Sequence, residues 1–228
     1  MKSSSTAKRS PAEKRALRDL DAIRGSIAPL SPPVASFEAS IRSTPFRILI
    51  SVLLSARTQD PVTEKAAVRL FAAADTPGKM ARLTEARIRR LIYPVGFYRT
   101  KAKHVLGICA ALERRERFPS TRDELLELPG IGRKSANLVL ALAFSHPAVA
   151  VDTHVFRISR RLAWARGRTP TEVERELERL FPRRRWARVN QVLVGFGQTI
   201  CRPIHPKCAE CVLKRTCPSA SISVTGDE

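Results

Sequence analysis

Apolar residues recur at three- and four-residue intervals along almost the whole chain, in 62–74, 85–92, 101–115 and 173–180, and no stretch sustains strand alternation. That regularity restricts the fold to helices packed on helices. Helix starts are written in the side chains. Thr121 precedes Glu124 by three residues, and Thr169 precedes Pro170 and Glu172, so each pair can form a capping box. Pro77-Gly78, Pro94-Val95-Gly96, Pro129-Gly130 and Gly167 punctuate the segments, which predicts about nine or ten short helices joined by tight turns. The expected fold class is all-α. No repeat of solenoid period is present, and no linker divides the chain.

The chain has 228 residues, 43% of them hydrophobic, and sets 41 Lys and Arg against 21 Asp and Glu for a formal net charge of +20. Enough apolar material is present for a core. A positive excess of this size concentrates polyanions, so nucleic acid is the leading partner class and an anionic membrane surface the weaker one. The longest apolar stretch lies within 48–56, well short of the roughly 18 residues a membrane span needs. The N-terminal residues lack the apolar centre of a secretory signal. The chain therefore reads as cytoplasmic, nucleoid-associated if bacterial. Residues 1–10 and 220–228 are small and polar, the first run also basic, and read as mobile tails.

One segment differs from its surroundings. Thr121 to Leu128 reads as a short helix, Pro129-Gly130-Ile131-Gly132 as a four-residue hairpin, and the stretch from Arg133 to Phe144 as a strongly apolar helix. Glycines at 130 and 132 permit backbone conformations closed to other residues and keep side chains away from the amides. Those amides and the N-terminus of the second helix suit a phosphate oxygen. Pro-Gly-x-Gly by itself is equally consistent with an ordinary helical corner. Leu128 and Ile131 are spaced to bury into the two helices, and Arg133 and Lys134 set cations beside the anion site. The whole matches the helix-hairpin-helix motif of DNA-binding proteins.

The chain has five cysteines. Cys109 falls on an apolar helix face and reads as core. Cys201, Cys208, Cys211 and Cys217 have the spacing C-x6-C-x2-C-x5-C. The odd total and the clustering favour metal ligation over disulfides. Four thiolates suit either tetrahedral zinc or an iron–sulfur cubane, and the chemistry alone leaves both open. Asp152 ends an apolar run and begins a helical one, the ordinary place for an N-cap.

Leu128-Pro129-Gly130-Ile131-Gly132-Arg133-Lys134-Ser135-Ala136-Asn137, then Val151-Asp152-Thr153-His154-Val155-Phe156-Arg157, then the cysteine cluster, resemble the endonuclease III family of DNA glycosylases. The resemblance runs from Pro45 to Cys217 with the motifs in the family's order. It implies a two-lobed helix-hairpin-helix glycosylase fold: a six-helix lobe over 39–146 ending in the hairpin, and an iron–sulfur lobe formed by 11–38 with 147–219. Duplex DNA containing damaged bases or abasic sites would lie across the groove between them, bound by a monomer. It implies a bifunctional glycosylase/AP lyase removing oxidised pyrimidines and cleaving 3′ to the abasic site by β-elimination. The family's nucleophilic lysine falls on Lys134 and its assisting aspartate on Asp152. An amine can form an iminium ion with the opened sugar, and a carboxylate can stabilise the developing cation. The spacing matches the family's [4Fe-4S] loop, with zinc as the alternative.

Phosphate contacts are expected from Gly130, Ile131, Gly132 and Arg133 and from the cluster-loop cations Arg202, Lys207 and Lys214. Two loops of the family supply side chains that fill the gap left by a flipped nucleotide. Arg57 stands where bacterial relatives usually have glutamine, and Phe97 where leucine is common. The rival readings of these two are a solvated helix-end charge and simple core packing. The rival functions are a monofunctional uracil or thymine mismatch glycosylase, which lacks the lysine, and a non-catalytic helix-hairpin-helix DNA-binding module.

Overall fold

The computed structural model describes residues 9–41 and 44–220. Helices and turns make up these residues, with no strand among them, and no helix there is long and apolar enough to cross a membrane. The chain divides into two compact units, one from residue 31 to residue 150 and the other joining the residues before 31 to those after 150.

The unit over 31–150 contains α2 (Pro33–Ile41), α3 (Pro45–Ser55), α4 (Asp60–Ala73), α5 (Pro77–Ala81), α6 (Glu85–Ile92), α7 (Tyr98–Glu113), α8 (Arg122–Leu126) and α9 (Arg133–Phe144). Six of these are longer helices, and α5 and α8 are single turns of five residues. Helix α3 is the centre. Phe46 and the whole run from Ile48 to Leu54 are buried, because α3 packs on α4, α7 and α9 at once and an all-round apolar helix needs neighbours on every side. Leu70, Met80, Ile88, Ile92, Ile108 and Val139 complete this core, which also holds Cys109 as expected. Helix α2 packs on α3 and α4, so residues 31–38 belong here and not to the other unit. Periodicity records that a face is buried but not against which partner.

The second unit contains α1 (Pro11–Ile27), α10 (Thr153–Arg161), α11 (Pro170–Leu180) and α12 (Trp186–Thr199), with the cysteine-bearing loop after α12. Helix α12 is its centre, flanked by α1 and α10. Phe181, Phe196, Leu20 and Ile23 are fully buried, and the Trp164 and Phe181 rings meet edge to face at 5.1 Å. Arg15 of α1 donates to Thr216 O at 2.7 Å, tying the cysteine-loop end to α1.

The capping signals hold at both expected places. Thr121 with Glu124 and Thr169 with Glu172 form reciprocal capping boxes. A third box joins Ser10 and Glu13 at the start of α1, so residues 9 and 10 lead directly into the first helix. The remainder of the expected tails, 1–8 and 221–228, lies outside the described residues. Of the run Arg183-Arg184-Arg185, a single turn before α12, the last makes a bidentate pair with Asp21 at 2.9 and 3.0 Å and is used within the fold.

Candidate functional site

The hairpin joins α8 to α9. Leu125, Leu128 and Ile131 are buried, and Ile131 N donates to Leu128 O at 3.1 Å, closing the turn. Gly130 has φ +78°, and a Cβ there would lie 2.2 Å from Nδ1 of His104 on α7. Both the left-handed backbone and the His104 ring therefore require glycine. Gly132 differs. Its backbone is extended, with φ −98°, a conformation open to any residue, and a Cβ would meet nothing within 4 Å. Its missing side chain leaves open the space before α9. No side chain caps that helix, so its first amides point into the opening with the positive end of the helix dipole behind them. Arg133 and Lys134, both half-buried, form its first turn.

The start of α8 is held by Glu124, whose carboxylate accepts from Ser120 N at 2.9 Å and Thr121 N at 3.0 Å and pairs with Arg117. These bonds pull its pKa down to about 2 from an ordinary 4.5. A depressed folded-state value means that the stabilisation is in place above about pH 4.5 and is lost as pH falls towards 2. Glu124→Gln should lower Tm at neutral pH and flatten its decline across that acid window. Parallel pH profiles for the two proteins would show that another group carries the transition.

Asn137, fully buried on α9, accepts from Arg122 Nε at 2.8 Å and donates to Val149 O at 2.8 Å. One amide thus joins α8, α9 and the segment leaving the unit. Arg57 and Phe97, forty residues apart in sequence, are adjacent. The Arg57 guanidinium lies 5.5 Å from the centroid of the Phe97 ring, and both residues are left-handed, with φ of 53° and 56°. Phe97 is 61% exposed, which excludes core packing, and Arg57 is stacked as well as solvated.

In the second unit Asp152 is the N-cap of α10, its Oδ1 accepting from Val155 N at 2.8 Å. The other end of this helix holds the cysteine loop. Arg157 Nη2 donates to Cys201 O at 2.9 Å. Arg161 reaches Arg202 O at 2.7 Å, Pro203 O at 3.0 Å and Cys201 Sγ at 3.4 Å. His154 lies beside Arg157, Nδ1 to Nη2 3.2 Å, in space left by Gly197, where a Cβ would stand 2.3 Å from its ring.

Cys201, Cys208, Cys211 and Cys217 are free thiols lining one cavity of about 180 Å³ together with Arg161 and Lys214. Burial pushes the Cys211 and Cys217 thiols up, and the surrounding thiols add to it. Four thiolates in such a space repel one another and need a cationic centre. The donor set is chemically suited to a metal cluster, although no three or more ligating side chains among the described residues are drawn together as a metal site. Of the loop cations, Arg202 is exposed, Lys207 is paired with Glu210 at 3.1 Å, and Lys214 reaches Ala209 O at 3.4 Å.

Residues 50–183 match the HhH-GPD superfamily base excision DNA repair protein. Endonuclease III of Thermotoga maritima is 47% identical over 175 residues, covering 76% of this chain and 82% of that protein. The chain belongs to the endonuclease III family. The mouse endonuclease III-like protein 1 is 42% identical over 80% of this chain and 62% of its own length. A trapped endonuclease III–DNA covalent intermediate superposes with a TM-score of 0.82 at 33% identity, covering 91% of this chain and 96% of that one. A non-covalent endonuclease III–DNA complex gives 0.82 at 32% identity, with the same coverage.

Within this endonuclease III family chain, most of the expected site residues fall into three groups. Gly130, Ile131, Gly132, Arg133 and Lys134 share the hairpin, Arg57 and Phe97 form a stacked pair, and the four cysteines share one cavity. Asp152 belongs to the second unit. His104, Lys101 and Arg161 escape sequence reasoning, as does the bond of the motif residue Arg157 to the cysteine loop, because each acts on a segment remote in sequence and no spacing rule marks it.

Proposed function

We propose that this base excision repair DNA glycosylase/AP lyase removes oxidised pyrimidines from duplex DNA through a Schiff base on Lys134 and then cleaves 3′ to the abasic site. The supporting observation is the placement of Lys134 in the first turn of an uncapped helix whose approach Gly132 leaves open. A phosphate on those amides would bring the sugar next to this amine. The Nζ bonds to C1′ as the bond to the base breaks, the base leaving with a proton. Ring opening through O4′ gives an iminium ion. The iminium acidifies the C2′ hydrogen, whose loss expels the 3′ phosphate, and water then releases the amine. Asp152 stabilises the cationic sugar and takes part in proton transfer. Borohydride added to the protein with lesion-containing or abasic duplex DNA should reduce the iminium to a covalent adduct; its absence from a folded, DNA-binding protein would overturn the lyase reading.

Arg57 and Phe97 fill the gap left by the extruded nucleotide. Their support is the exposure of Phe97 and its stacking with Arg57.

The four cysteines hold a [4Fe-4S] cluster, which when bound orders the loop and offsets thiolate charge. The support is the family membership together with the four sulfurs lining one cavity. Purified protein should contain about four irons and as many labile sulfides per chain, and Cys211→Ser should lower both together with DNA affinity. One zinc per chain without sulfide would reverse this assignment.

A further inference from the structure

Two exposed side chains on separate loops can open a duplex only if their backbones are fixed before DNA arrives. The loop following α3 carries Arg57, and the loop preceding α7 carries Phe97. Both backbones are in the left-handed region, which costs non-glycine residues energy unless the surroundings impose it. What imposes it lies beneath them. Lys101, on the first turn of α7, is only 5% exposed. Its Nζ donates to Leu54 O at 2.7 Å, Ala56 O at 2.6 Å and Thr58 Oγ1 at 3.3 Å. All three donors of the ammonium are thereby used on the end of α3 and the loop that follows. Thr58 Oγ1 also accepts from Gly96 N at 3.1 Å, which carries the connection into the Phe97 loop. Gly96 permits this closeness, since a Cβ there would sit 2.5 Å from Arg57 O.

We propose that Lys101 is a positioning residue for strand opening: through Thr58 and the carbonyls of Leu54 and Ala56, it locks the Arg57 and Phe97 loops into one preformed wedge. This inference rests on the reading of Arg57 and Phe97 as gap-filling side chains. A buried charge is retained only where it is well bonded, and an apolar residue of the same size would fill the space but remove the ammonium donors, leaving Ala56 O only the Thr58 hydroxyl at 3.3 Å and Thr58 Oγ1 only Gly96 N. Burial and the neighbouring Lys134 charge push Lys101 down to about 8, while the three oxygens favour the charged form.

The test compares single-turnover excision of thymine glycol from a fully paired duplex with excision of the same lesion from an unpaired loop, where nothing has to be opened. Lys101→Met should slow the paired reaction by about tenfold, corresponding to about 1.4 kcal/mol, and the looped reaction by no more than about twofold. Thr58→Val keeps the ammonium and two of its acceptors, removes the link to Gly96, and should show the same selectivity to a smaller degree. Thermal melting confirms that each variant is folded. Equal losses on both substrates would overturn the proposal and place Lys101 at the Lys134 chemistry instead, and wild-type rates for Thr58→Val would overturn it independently. Phe97→Ala separates the two levels: if it shows no preference for the looped lesion, the gap-filling reading itself fails, whereas if it does and Lys101→Met does not, only the positioning role is lost.

Discussion

Lys134→Ala should abolish the borohydride-trapped adduct and reduce excision and strand cleavage by roughly 10⁴-fold or more, the scale on which removal of a nucleophile acts. DNA binding should survive, since the open amides at the start of α9 belong to the backbone and Arg133 is untouched. The same unit offers a second amine, Lys101, which feels the charge of Lys134. It is a poor nucleophile candidate on geometric grounds. Its Nζ is sunk among three oxygens at 2.6 to 3.3 Å, with no donor to spare, and the residue is only 5% exposed. Lys134 is half-buried at the mouth of the hairpin. A distal lysine variant should keep the adduct; an adduct persisting in folded Lys134→Ala would move the nucleophile elsewhere and defeat the mechanism proposed above.

Asp152→Asn separates the two roles of one carboxylate. As an N-cap, Asp152 accepts from Val155 N at 2.8 Å, and asparagine serves that position about equally well. Stability should therefore change little. As a stabiliser of the cationic sugar, it needs its negative charge, and loss of one such electrostatic partner costs about 10²- to 10³-fold in rate. Asp152→Ala should show that same kinetic loss and in addition about 1 kcal/mol of destabilisation from the missing cap. Single-turnover excision and thermal melting on the three proteins give both quantities. A wild-type rate in Asp152→Asn would leave the residue with its capping role alone.

Much of this site is legible in the chain because its parts are local. The hairpin from Leu128 to Lys134 uses neighbours in sequence, and the cysteines lie within one loop. Capping boxes span three residues, and both expected ones form. Gly130 and Gly132 look alike in sequence, yet one is required by a left-handed turn against His104 and the other only leaves space. The difference comes from α7, a helix whose partner the hairpin's own residues do not announce. Phe97 reads equally well as core or as an exposed tip, because a single aromatic carries no periodicity. Its exposure follows from the positive φ that turns it outward at the start of α7.

The sequence by itself determined that the chain is helical, where its helices begin, that a glycine-bearing hairpin followed by two cations heads α9, and that four thiols gather near the C-terminus. Each is set by interactions within a few residues, and period and spacing report those directly. Only the tertiary structure decided that residues 31–38 join the unit of α3, that Arg157 and Arg161 grip the cysteine loop some forty residues away, and that Lys101 binds a loop more than forty residues before it. Such contacts depend on which buried faces meet, and a hydrophobic pattern specifies that a face must be covered without naming the helix that covers it.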